Sequence, residues 1–217
     1  SHGLDTQTRT LYVFYGRFLT DDAVSLAAQP KLEPGKTYRT RELRCFGENP
    51  TRLARRLVRE GKLQQAAHGL FYAPLDSRFG QAPPSDDELL RGFLGSDTFV
   101  ITGPPKWNAL GLGTTAMFAA TLVYNHRRTG EFIFDGRRFL LRRVYFPEQP
   151  TPEWYIIDLL QHHDMAGVSS AELEDRLVAT LKHQRWNQKR LRAMAEEYGT
   201  KTTIELIGRC LQKADEP

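Results

Sequence analysis

Cysteine is nearly absent from this chain. Cys45 and Cys210 are the only two in 217 residues, and they match no metal-ligand spacing. Each falls on an apolar helical pattern, which predicts two buried, reduced thiols. Long apolar runs are absent too: nothing approaches the roughly 20 residues of a membrane span, and no signal-peptide pattern is present. A cytoplasmic protein with no membrane partner is expected. Internal repeats and low-complexity stretches are missing. So are a nucleophile elbow, a Walker loop and a paired-carboxylate set, so nothing argues for an enzyme and no cofactor is implied. Gly111-Leu112-Gly113 follows a helical pattern, where a dinucleotide loop follows a strand, and reads as a helix stop. His162-His163-Asp164 resembles a metal site only superficially. Adjacent helical residues point about 100° apart, and no third His or Cys is near in sequence.

Acidic residues are scarce in one place. Residues 1–74 hold 12 Lys and Arg against 7 Asp and Glu, whereas residues 75–217 hold 18 against 19. The whole positive excess of the chain, +4 overall, therefore sits in the N-terminal third. A localised excess of this kind favours an anionic partner. The second part, near neutrality, suits an effector or protein partner better than nucleic acid.

What is present in that basic third has a definite order. Thr37–Arg39 reads as a short strand, and Thr40 can cap a helix over Arg41–Cys45. After a turn at Phe46-Gly47-Glu48, Asn49-Pro50 supplies an N-cap and the residue favoured at the first helical position. Gly61 is placed for a left-handed C-cap. Between them Leu53, Ala54, Leu57 and Val58 make one apolar face. Arg52, Arg55, Arg56 and Arg59, at i, i+3, i+4 and i+7, share the opposite face. Like charges at that spacing destabilise a helix, and Glu60 is the one acid in it. Lys62–Ala66 and Leu70–Ala73 then form a hairpin around Ala67-His68-Gly69. This is the pattern of a winged helix-turn-helix, which places its second helix in the DNA major groove. Asn49 and Thr51 at the helix N-terminus are placed to reach bases or phosphates. The four arginines divide between base edges and backbone, with Arg41, Arg44, Lys62 and His68 as phosphate contacts.

Leu75–Pro84, rich in Asp, Ser, Gly and Pro, reads as a linker. Ser85 with Glu88 is a capping box starting a helix to about Leu94. Strands are expected over Phe99–Thr102, Thr121–Tyr124, Glu131–Phe134 and Phe139–Phe146, the last two joined by Asp135-Gly136. Gly103-Pro104-Pro105 leads into a short helix closed at Gly111. After Pro147 the pattern becomes helical, with starts at Thr151-Pro152, Ser169, Asn187 and Thr202. Leu11–Ala28 fits one or two opening helices. The fold class expected is α+β: an N-terminal winged helix-turn-helix over residues 1–74, a linker over 75–84, and a mixed α+β domain over 85–217 with antiparallel strands and a helical C-terminus.

Two runs resemble a known family. RLVREGKLQQAAHGLFYAP (Arg56–Pro74) and TFVITGPPKWNALGL (Thr98–Leu112) are similar to segments of the AbiEi-type antitoxins, regulators of bacterial type IV toxin–antitoxin pairs. Trp107 stands where that family has a small residue. The resemblance implies a repressor that binds its own operator, often on inverted repeats, and a second domain that counters a nucleotidyltransferase toxin. From the residues alone two alternatives stay open. One is a winged-helix transcription factor whose second domain binds another ligand or protein. The other is a nuclease or related nucleic-acid enzyme that docks through the winged helix.

Overall fold

The computed structural model describes residues 31–216 apart from 113 and 116. The opening helices expected over Leu11–Ala28 lie outside the described residues. Strand β1 (Thr37–Arg39) leads through a 3₁₀ turn (Glu42–Phe46) to helix α1 (Pro50–Arg59), then to β2 (Gln64–Ala67) and β3 (Leu70–Tyr72). The three strands pair antiparallel in the order β1-β3-β2, with a bulge between Gln65 and Ala67. Leu43, Leu53, Leu57, Leu63 and Tyr38 form a small core between α1 and this sheet. Thr40 does not cap the 3₁₀ turn. Arg41 occupies the cap position without a side-chain bond, so the expected α-helix is reduced to one tight turn.

Residues 75–84, expected as a linker, form the hairpin β4 (Leu75–Ser77) and β5 (Gly80–Ala82). Gly80, the first residue of β5, takes φ +106° directly after the Arg78-Phe79 turn, a conformation open to glycine. The same Gly and Ser content that reads as a flexible linker also reads as a tight turn.

Helix α2 (Asp86–Leu94) precedes β6 (Phe99–Thr102), the short helix α3 (Pro104–Asn108), β7 (Thr121–Asn125), β8 (Gly130–Phe134) and β9 (Arg137–Arg143). Their sheet runs β6-β7-β9-β8. The β6–β7 and β8–β9 pairs are antiparallel, but β7 and β9 run parallel, so the sheet is mixed where antiparallel strands were expected. The reason lies in β9. Phe139 and Leu141 pack to one face of the sheet and Leu140 to the other. A strand apolar on both faces gains most at the centre. The Asp135-Gly136 hairpin folds β9 inward beside β7 and leaves β8 outside, with Ile133 exposed.

Four helices complete the chain: α4 (Pro152–Gln161), α5 (Ser170–Lys182), α6 (Gln188–Tyr198) and α7 (Lys201–Asp215). Thr151, Ser169, Asn187 and Thr200 cap them, and Ser169 with Glu172 makes a complete capping box. The helices cover the sheet face that carries Leu122 and Tyr124. On the opposite face Val123, Phe134, Phe139 and Leu141 meet α2, and the same cluster takes in Ala66, Leu70 and Tyr72 of the first sheet. The N-terminal unit and the larger sheet thus share a core through α2. Glu88 shows how closely. Its carboxylate does not complete the capping box expected with Ser85. Instead it accepts the Thr37 amide at 3.0 Å and the Thr37 hydroxyl at 2.9 Å.

Candidate nucleic-acid interface

Helix α1 is built as its punctuation demands. Asn49 Oδ1 accepts the Arg52 amide at 3.0 Å, Pro50 occupies the first turn, and Gly61 closes the helix at φ +69°. Leu53, Ala54 and Leu57 are buried against the first sheet, which turns the rest of the circumference outward. Arg52, Arg55, Arg56 and Arg59 are all exposed, along a helix about 15 Å long. Arg41, Arg44, Asn49, Thr51 and His68 are exposed as well, and Lys62 is half-buried. Arg41 is the residue before the 3₁₀ turn that packs beside α1, Arg44 lies within that turn, and His68 is at the tip of the β2–β3 hairpin.

The charges are not equally free. Glu60 lies 3.7 Å from Arg56 and 2.9 Å from Lys62, and the Lys62 hydrogen bond holds its carboxyl below the usual range. Arg52, Arg55 and Arg59 form no ion pair among the described residues. Such a row, with one shared acid, is chemically complementary to a run of phosphates and to guanine edges.

The basic surface extends further than segment-by-segment charge counting indicated. Arg39, on β1, donates to the carbonyls of Gly92 (2.7 Å) and Phe93 at the end of α2. Burial pulls its pKa down, and the nearby charges of Arg41, Arg128 and Arg127 add to the effect. Arg127 donates to the Leu94 carbonyl at 3.0 Å, and the Arg128 guanidinium lies over the Phe93 ring at 4.7 Å. Arg127 and Arg128 belong to the β7–β8 turn, far from α1 in sequence. Their placement near Arg39 depends on the shared core, so the sequence pattern carried no local sign of it. Cys45, expected to be buried, is exposed on the 3₁₀ turn, while Cys210 is buried with its thiol pushed up to about 12. The tighter 3₁₀ winding rotates Cys45 off the face that buries Leu43.

Neither His163 nor Asp164 joins a metal-ligand group, and no cluster of three His, Cys, Asp or Glu side chains with that capacity occurs among the described residues. No helix among them is long and apolar enough to cross a membrane. Of the apolar residues at the turn after α3, Leu110 and Leu112 are buried, whereas Met117 and Phe118 are exposed.

The chain has the fold of a solved mycobacterial protein. The crystal structure of the RV2827C protein from Mycobacterium tuberculosis is similar with a TM-score of 0.51 at 16% identity, over 84% of this chain and 73% of that one. At that identity the likeness concerns the fold alone. No protein-family model matches this sequence, and no curated protein matches it.

Proposed function

We propose that this protein is a winged-helix DNA-binding regulator of the antitoxin type. In this reading α1 is the recognition helix, the 3₁₀ turn is the reduced first helix of the motif, and the β2–β3 hairpin is the wing. The observation that carries it is the exposed row Arg52, Arg55 and Arg59, none of which forms an ion pair among the described residues, on a helix buried along its opposite side. Like charges on one helix face raise its free energy by a few tenths of a kcal/mol per pair unless a partner offsets them. Duplex DNA is a partner of the right charge and groove width. Asn49 and Thr51 enter first, and Arg41, Arg44, Lys62 and His68 hold the backbone on either side. The resemblance of Arg56–Pro74 and Thr98–Leu112 to AbiEi-type antitoxins extends the reading to autoregulation of an operon and to countering a nucleotidyltransferase toxin. The protein acts by binding, with no reaction of its own.

The test is a titration of the whole chain on its own upstream DNA and on a scrambled duplex, at several salt concentrations. The expected outcome is tight binding that prefers the upstream DNA and weakens steeply with salt. Equal, weak binding to both duplexes would sink the reading. Co-expression with a nucleotidyltransferase encoded beside the chain tests the antitoxin role, with restored growth as the expected result.

A further inference from the structure

His162, set aside above as a metal ligand, takes part in a different arrangement with a residue one helical turn earlier. Asp158, on α4, is 3% exposed and accepts from Thr102 Oγ1 at 2.5 Å, Trp107 Nε1 at 2.9 Å and Tyr124 Oη at 2.7 Å. His162 Nδ1 lies 2.9 Å from the Asp158 carbonyl and 3.3 Å from its carboxylate. With Nδ1 held in this way, Nε2 has as its hydrogen-bond neighbour among the described residues the Tyr124 oxygen at 3.5 Å, and the Tyr124 hydroxyl proton is already given to Asp158. A buried carboxylate is costly, and an apolar core of the same volume is often at least as stable. This network borders a cavity of about 490 Å³, within the range of small-molecule sites.

The walls of that cavity are aromatic. Tyr145 and Tyr198 stack with centroids 5.2 Å apart at 20°, and Trp154 meets Tyr124 edge-on at 6.2 Å. Tyr145 is 69% exposed at the rim, an amount of apolar ring left in water that a ligand would cover. The polar groups are mixed in sign: Asp158 and Glu197 bring carboxylates, while the Arg142 guanidinium is near His162, whose pKa is raised chiefly by its bond to Asp158. A strongly charged ligand of either sign gains little there. We propose that this cavity binds a small, uncharged, planar heteroaromatic molecule, stacked on the Tyr145–Tyr198 pair and accepting a hydrogen bond from His162 Nε2. The site lies on the larger unit and does not depend on the DNA-binding reading.

Adenosine, cytidine and nicotinamide serve as acceptor-bearing probes, and indole serves as a planar ring without an acceptor. Each is titrated into the full chain by ligand-observed NMR at millimolar concentration. Saturable binding of at least one acceptor-bearing ring is expected, with indole weaker. Tyr145→Ala, which removes an exposed ring and leaves the core intact, should weaken binding roughly two- to tenfold, the worth of one aromatic contact. His162→Phe should abolish the preference over indole while keeping residual stacking. Absence of binding by all three probes, equal binding of indole, or affinity unchanged by Tyr145→Ala would overturn the proposal. Duplex-binding measurements on the same preparation report separately on the regulator reading.

Discussion

Glu88 joins the two parts of the molecule through one side chain. Burial works against its charge, but the amide and hydroxyl of Thr37 together with Arg91 more than offset that, and its pKa is lowered. A group with a depressed folded pKa contributes stability that is present above its unfolded value and is lost as pH falls through the folded one. Glu88→Ala is therefore expected to cost about 2 kcal/mol at neutral pH, the worth of hydrogen bonds to a charged group, and to cost progressively less below about pH 4. Denaturant unfolding at several pH values measures this, and a pH-independent loss would show that packing alone is affected. The residue's role was not legible from the sequence. The local pattern, with Ser85 three positions earlier, specifies a capping box, and only the Ser85 half of it forms. The stronger pair of donors comes from Thr37, 51 positions away, which no local rule reaches. The same holds for Asp158. Its Trp107 and Tyr124 partners come from other elements, so the sequence pointed to His162 and His163 as neighbours and missed the network beneath them.

At the scale of elements, local punctuation was a sound guide where it acted alone. Asn49, Pro50 and Gly61 delimit α1 within a residue, and Thr151, Ser169 and Asn187 begin their helices as their residue types require. What depends on packing between distant strands was not readable. The insertion of β9 between β7 and β8 is of this kind, whereas the local hairpin at 75–82 was missed because its turn residues also suit a linker. For α1 the separation of roles can be measured. Arg55→Ala and Arg59→Ala should each lower the salt slope of duplex binding by about 0.9 if the lost contact is to a phosphate, or cost about 1–3 kcal/mol with altered sequence preference if it is bidentate to a base. Arg56→Ala should lose less, because Glu60 already holds part of its charge. An unchanged affinity in both Arg55 and Arg59 variants would mean that the helix faces solvent in the complex.

For the whole molecule the shared core changes what a truncation would do. Leu89, Leu90, Leu94, Phe134 and Phe139 share one buried cluster with Ala66, Leu70 and Tyr72, so a fragment of residues 75–217 loses part of that cluster's cover. Contiguous exposed apolar surface of that kind drives association. The fragment is expected to bind a hydrophobic dye and to self-associate in sedimentation, whereas the full chain does neither. A monomeric, dye-silent fragment would mean that the second unit closes its own core. The likeness to the mycobacterial structure, over 84% of this chain, spans both units in one alignment.

The carbonyls at the end of α2, held by Arg39 from one side and Arg127 from the other, fix an angle. For a chain seated on DNA as proposed, the larger unit then points in one set direction around the duplex. Two chains on neighbouring half-sites would bring those units together or hold them apart according to helical phase. Moving one half-site by about 5 bp, half a turn, would swing its chain to the opposite side of the duplex. The spacing of an operator would thus decide whether the bodies of two bound copies ever touch.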